Sequence, residues 1–216
     1  MASRSTANKR PPGRPGRDSA ELRPALIDAA LACYAREGVA ATSLKAIANE
    51  AGVTPALLHY YFGNREQLRQ AVIEERIMPL MYQVQEKLAS AGGDVAALIN
   101  TFISAMGEVV VENPWWPPLW VREVLCEGGA LRGLMIDRLK EVARLFTARF
   151  ATAQEEGKLN VALDPRLLLV SLIGLTLFPA AGAPIWRQLQ DADDITGEDM
   201  QRHTLALLQR GLELKP

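Results

Sequence analysis

Between Ser43 and Arg65 the chain reads SLKAIANEAGVTPALLHYYFGNR, a stretch that admits few conformations. Ser43 carries the side chain of a helix N-cap, and Leu44, Ile47, Ala48 and Ala51 follow it at helical spacing. Gly52 stands where a helix end favours a left-handed residue. Thr54-Pro55 then pairs an N-cap with a proline at the first helical position, where a missing N–H costs nothing. This second helix is short: Gly63 breaks it after Phe62, and Asn64 caps the next, with Gln67 placed to reach back.

Two helices joined by a Gly-containing turn of this length make a helix-turn-helix, whose second helix lies in the DNA major groove. Leu58 and Phe62 face inward on that helix, leaving Pro55, Ala56, Leu57, His59 and Tyr61 outward. On spacing alone, a solvated helix of an all-helical bundle is the alternative. The outward Pro, Ala, His and Tyr cluster is unusual for such a helix.

From Leu22 to about Ala71 the sequence resembles the N-terminal domain of the TetR/AcrR family of bacterial repressors. The resemblance rests on Ala30, Tyr34, Gly38, Thr42-Ser43-Leu44, Ile47-Ala48, Ala51-Gly52-Val53, Leu58-His59-Tyr60-Tyr61-Phe62 and Asn64-Arg65-Glu66-Gln67-Leu68. It implies an all-α fold: a three-helix helix-turn-helix DNA-binding domain at 18–65, then a C-terminal helical ligand-binding and dimerisation domain at 66–216. Thr42 and Lys45 lie where the first of the two helices begins, so their donors and the helix dipole meet a phosphate, and matching family positions touch the DNA backbone. By the same transfer Thr54, Pro55, Ala56, His59 and Tyr61 face the groove, while Tyr60 and Arg65 hold phosphates. Beyond about position 75 such families diverge, so the resemblance speaks for DNA reading and only weakly for the ligand.

Net charge is −1, which does not announce a nucleic-acid binder, but its distribution does. Residues 1–17 hold five basic and no acidic side chains, leaving −6 for the remainder. This Pro-, Gly- and Ser-rich arm is expected to be disordered, and its Gly-Arg-Pro run loosely resembles AT-hook segments that enter the minor groove. A solvated tail adding sequence-independent affinity is the alternative. No apolar run follows the basic start, so a cytoplasmic, bacterial protein is expected rather than a secreted one. Cys33 and Cys126 are expected to be small buried hydrophobes. With only His59 and His203, and no ligand spacing around them, neither a metal nor a cofactor is expected. No catalytic triad or phosphate-cradling loop is visible, and no enzyme is expected.

The helix from Asn64 should run to about Ala89, kinked near Glu75 or broken at Met78 by Pro79. Another is expected over Val95 to Glu112. Three of the four tryptophans fall in Asn113-Pro114-Trp115-Trp116-Pro117-Pro118-Leu119-Trp120, either a core plug or a pocket wall. Leu131 to Glu156 reads as a long amphipathic helix. Leu167 to Phe178 is apolar nearly all round and too short to cross a bilayer, so both its sides need cover. With a last helix over about Asp199 to Leu214, it reads as half of a four-helix homodimer interface, as in the resembled family.

The expected function is a ligand-responsive transcriptional regulator, a repressor that binds a pseudo-palindromic operator on double-stranded DNA and is released by a mainly hydrophobic small molecule. Pocket candidates are Met81, Phe102, Met106, Trp120, Glu123, Met135, Leu139 and Phe178, suiting a hydrophobic or aromatic effector with a cationic or hydroxyl group beside Glu123. A constitutive DNA-binding or architectural dimer without an effector is the alternative.

Overall fold

The caps anticipated in the sequence set the helix starts. In the computed structural model, which describes residues 19–211, Ser43 Oγ accepts the Ala46 N–H at 3.1 Å and Asn64 Oδ1 accepts that of Gln67 at 2.9 Å. The basic arm at 1–17 and the expected helix end at Leu214 lie outside the described residues. Those two caps open α2 (Leu44–Glu50) and α4 (Arg65–Val72), which flank α3 (Pro55–Phe62) and pack with it on α1 (Ser19–Glu37). Gly52, at φ +67°, makes the turn between α2 and α3.

The expected kinked helix after Asn64 takes a more specific form. Ile73–Ile77 is π-helical, and α5 (Met78–Ala89) follows it. Pro79 supplies no N–H for the Glu75 carbonyl, and Arg76 Nη1 donates to that oxygen instead, at 3.0 Å. The π-turn thus sits where proline breaks the hydrogen-bond ladder.

Then come α6 (Val95–Glu112), α7 (Trp116–Trp120), a second π-turn at Val121–Leu125, α8 (Arg132–Glu155), α9 (Pro165–Ala181), α10 (Ala183–Gln190) and α11 (Gly197–Gly211). Helix α6 is apolar and long enough to cross a membrane by composition, yet it packs between α5, α9 and α11 with Leu98, Ile99, Phe102, Ile103, Met106 and Val109 buried. It is the central helix of the bundle. Helix α10, absent from the sequence expectations, bends 68° from α9. The fourth tryptophan, Trp186, anchors it by donating from Nε1 to the Pro179 carbonyl at 2.7 Å.

One apolar cluster joins both ends of the molecule. Leu26, Ile27, Ala30, Cys33 and Tyr34 of α1 meet Ile47, Leu58, Phe62, Leu68 and Val72, and the cluster continues through Ile77 and Met78 into the C-terminal helices. Cys33 is buried as expected, and burial pushes its thiol up, away from reactive thiolate. Cys126 is exposed, against expectation, because it lies just past the second π-turn, where the chain leaves the bundle.

Candidate DNA-reading face and ligand cavity

Helix α3 buries Leu58 and Phe62 and exposes Thr54, Pro55, Ala56, His59 and Tyr60. Lys45 on α2 is exposed as well. Thr54 has the extended backbone of an N-cap, yet its side chain makes no cap hydrogen bond. Its hydroxyl is therefore unspent. His59 Nδ1 lies 2.8 Å from the Gly63 carbonyl. A carbonyl only accepts, so Nδ1 carries the proton and Nε2 is left for an outside partner. Tyr60 is 75% exposed and meets Tyr61 edge to face, with ring centroids 5.3 Å apart.

Three of the expected DNA contacts sit differently from their sequence assignment. Tyr61 is partly buried against the core rather than turned outward, because the last turn of α3 lies down on the apolar cluster. Thr42 is buried, and its hydroxyl donates to the Gly38 carbonyl at 2.7 Å, so it closes the α1–α2 loop instead of pointing at a phosphate. Arg65 is exposed, but its Nη2 donates to the carbonyls of Val39 and Ala40, the latter at 2.8 Å. The guanidinium holds that loop against the start of α4, whatever else it reaches.

The loop is gripped from the other side as well. Glu123, in the second π-turn, is buried, and its two carboxylate oxygens accept the N–H groups of Val39 and Ala130, each at 2.9 Å. Its neighbour Arg122 donates from Nη1 to the Ala35 and Arg36 carbonyls at 3.2 and 3.1 Å, covering the end of α1. A Cβ on Gly38, whose φ is +90°, would lie 3.0 Å from Arg122 Cδ and 3.1 Å from Glu123 Oε1, so a side chain there meets both strain and crowding. Sequence reasoning placed Glu123 in the ligand pocket. The structure corrects this, since both of its oxygens are committed to backbone donors.

A second set of contacts ties α3 to the first π-turn. Arg23 of α1 stacks on the Phe62 ring, 5.3 Å from its centroid, and forms a bidentate pair with Glu75 at 2.7 Å on both arms. The Arg23 hydrogen bonds hold the Glu75 carboxyl below its ordinary range. Arg76 pairs with Asp28 at 2.6 Å. Neither Arg23 nor Arg122 was singled out from the sequence. A basic residue among the apolar positions of α1 is the only local sign of the first, and the second has none.

The C-terminal bundle holds an apolar cavity of about 210 Å³ that opens to the surface beside Gln85 and Val170. Met81, Phe102, Met106, Trp120 and Leu139, all expected there, line it, together with Val84, Gln85, Leu88, Trp116, Val142, Ala143, Phe146, Leu169, Val170, Ile173 and Leu177. The tryptophans are thus both plug and wall: Trp116 and Trp120 stack edge to face 5.3 Å apart and border the space. Two further candidates fall elsewhere. Met135 is packed in the core where α8 begins, and Phe178 is 70% exposed on the outer side of α9. Both belong to faces that periodicity alone cannot tell apart from a cavity wall. Among the described residues no charged side chain lines the cavity, and Glu123, expected beside a cationic or hydroxyl group of the effector, is not part of its wall.

A helix-turn-helix on a helical bundle is the architecture of a class of DNA-binding regulators. Comparison with known proteins shows which of them the chain is similar to. Residues 26–72 match the model of bacterial regulatory proteins, tetR family. The chain is 26% identical over 163 residues to the HTH-type nicotine-responsive transcriptional repressor HdnoR of Paenarthrobacter nicotinovorans, covering 73% of this chain and 82% of that protein. It is 51% identical over 51 residues to the HTH-type transcriptional regulator BetI of Rhizobium meliloti, but that match spans only 24% of this chain and 25% of BetI. The fold is shared with the ketosteroid transcriptional regulator KstR2 of Mycobacterium tuberculosis, at TM-score 0.71 and 18% identity, covering 88% of this chain and 94% of that one. It is shared too with the fatty acid degradation regulator FadR of Bacillus halodurans, at TM-score 0.66 and 19% identity over 94% of this chain and all of that one. Residues 26–72 thus match the DNA-binding domain of the tetR family, and the chain as a whole is similar in sequence and in fold to TetR-family transcriptional regulators.

Proposed function

We propose that the chain is a homodimeric repressor that binds a pseudo-palindromic operator and is released when a mainly hydrophobic small molecule enters the cavity. The observation that carries this reading is the sharing of one short segment between two tasks. Trp116 and Trp120 border the cavity, and the π-turn that follows them holds the end of α1 and the Val39 N–H. A ligand that moves the tryptophans acts on the loop from which α2 starts, and so on α3. Its binding energy is then coupled against DNA binding to the extent that the two favour different head positions.

In this division of labour residues 1–17 add phosphate affinity, 18–65 read the groove, and 66–216 bind ligand and partner. Thr54, Pro55, Ala56 and His59 face base edges, while Lys45 and Tyr60 meet phosphates and Thr42, Arg65 and Tyr61 support them by holding the loop and the end of α3 in place. Two heads related by a two-fold axis would read half-sites roughly 34–36 Å apart. The dimer surface would be the outer face of α9, where Leu167, Val170 and Phe178 are exposed beside Gly174, together with Leu207 of α11. Such a protein acts on DNA in the bacterial cytoplasm. A relative described as nicotine-responsive, and fold neighbours described as ketosteroid and fatty acid regulators, are in keeping with a hydrophobic effector. A constitutive dimer without an effector is disfavoured by the cavity, since close-packed interiors leave few voids of this size.

The test is selection of bound DNA from a random pool by the full-length protein, with and without a mixture of hydrophobic small molecules. Recovery of a palindrome that the mixture abolishes is the expected result. A palindrome indifferent to every compound would return the reading to the constitutive dimer, and no enriched sequence would overturn operator recognition.

A further inference from the structure

On one side the cavity shares its wall with a neighbouring surface cleft. Gln85, Leu88, Val142 and Phe146 border both the cavity and an outer cleft of about 360 Å³. Helix α8 runs past both spaces. Leu139 and Val142 line the cavity, Phe146 stands at the partition, and Arg149 borders the cleft. Their spacing of three, four and three keeps them on one helical stripe, rising about 15 Å from first to last.

The chemistry of the two spaces differs. The cavity wall has no charged residue, whereas the cleft has Glu141 and Arg149. Glu141 is already paired with Arg144 at 2.6 Å. Arg149 makes no ion pair among the described residues; its Nη1 donates to the Gly92 carbonyl at 3.2 Å, which leaves the positive charge uncompensated. Lys158, which borders a neighbouring hollow with Arg149, is paired with Glu156 at 2.8 Å. The unneutralised charge at the outer end of the stripe is therefore positive.

We propose that the effector is an amphipathic anion, with a hydrocarbon end filling the cavity and a carboxylate or similar small acidic group lying in the cleft against Arg149. This rests on the reading of the cavity as the effector site. Each methylene placed inside contributes about fourfold in affinity. A charged end drawn fully inward would find only the Trp120 Nε1–H and the Gln85 amide in place of its water, and no opposite charge. At the cleft that end keeps part of its hydration and gains a charge-assisted hydrogen bond from a guanidinium. A cationic end finds no such partner, since the carboxylates of Glu123 and Glu141 are both engaged.

Trp116 and Trp120 make the cavity observable by fluorescence. The full-length protein is titrated with decanoate and with decanol, which share a chain and differ in the head group. Both should change the emission, with decanoate binding about three- to tenfold tighter at low salt and losing that advantage as salt rises. Arg149→Gln should erase the difference while leaving decanol affinity unchanged, which also shows that the variant is folded. Equal affinity for the two compounds in the parent protein, or a preference for decanoate that survives in R149Q, would overturn the anionic head group. Failure of both compounds to change the emission would instead overturn the cavity as an effector site.

Discussion

Glu123 shows how far one side chain can reach in this molecule. Its carboxylate is buried and satisfied by two backbone donors, from Val39 and Ala130, that lie on opposite sides of it in sequence. Glu123→Gln keeps the shape but sets an amide NH2 against a backbone N–H, and leaving one buried group unsatisfied costs about 1–3 kcal/mol. The expected outcome is a lower urea midpoint for E123Q with an unchanged m-value; an unaltered midpoint would show that solvent replaces the bond. The caps of the reading domain offer a second comparison. Ser43→Ala removes a formed cap and should cost about 1 kcal/mol. Thr54→Ala removes none and should change stability by less than about 0.5 kcal/mol while weakening DNA binding. Thermal denaturation of the two variants beside a DNA-binding titration separates the roles, and a T54A as unstable as S43A would mean that the Thr54 hydroxyl caps α3 after all.

At the scale of elements, the two π-turns stand where helices that contact the reading domain meet the bundle. The first carries Glu75 and Arg76 onto α1, the second Arg122 and Glu123 onto the end of α1 and its loop. Pro79→Ala supplies the missing donor to the Glu75 carbonyl and favours a regular helix, which would rotate α5 relative to α4. Stability should shift by no more than about 1 kcal/mol, since the carbonyl already has a partner in Arg76. Effector-induced DNA release should change, read as the ratio of DNA affinities with and without effector. An unchanged ratio would make the proline purely architectural. The limits of sequence reading fall along the same lines. Helix starts were legible because Ser43 and Asn64 cap within their own turns. The interruption at Pro79 was legible too, because a missing N–H is a local fact. The π form of that interruption was not, for no local pattern in Ile73–Ile77 marks it, and Arg76 within it contacts Asp28, 48 residues away. The position of Glu123 was equally hidden, because its partner Val39 lies 84 residues away. Periodicity identified five cavity residues but could not separate the inner face of α9 from its outer one, and so misplaced Phe178.

For the molecule as a whole, the unpartnered surface matters most. Val170, Gly174 and Phe178 recur every four residues along the outer face of α9, and a Cβ on Gly174 would meet nothing within 4 Å in the single chain. This is room for another helix to approach closely. Phe178→Arg should leave the monomer folded, since its side chain is largely exposed, but abolish dimerisation and with it high-affinity operator binding. Light scattering measures the first effect and a binding titration on a two-half-site duplex the second. A dimer that persists in F178R would move the interface to another surface.

The contact that joins the two functional ends is made at Val39 by a peptide group: its N–H goes to Glu123 and its carbonyl to Arg65. Every residue type but proline carries that N–H, so the identity of residue 39 says nothing about whether the connection exists. Related chains could exchange one apolar residue for another there and keep the linkage intact. Truncating the Val39 side chain would pass over it, registering only the small loss of packing that any core valine gives, whereas truncating Glu123 or Arg65 would expose it. The linkage is written in the main chain, and its presence in a relative has to be judged from the partners, a carboxylate after the tryptophans and a guanidinium at the start of α4.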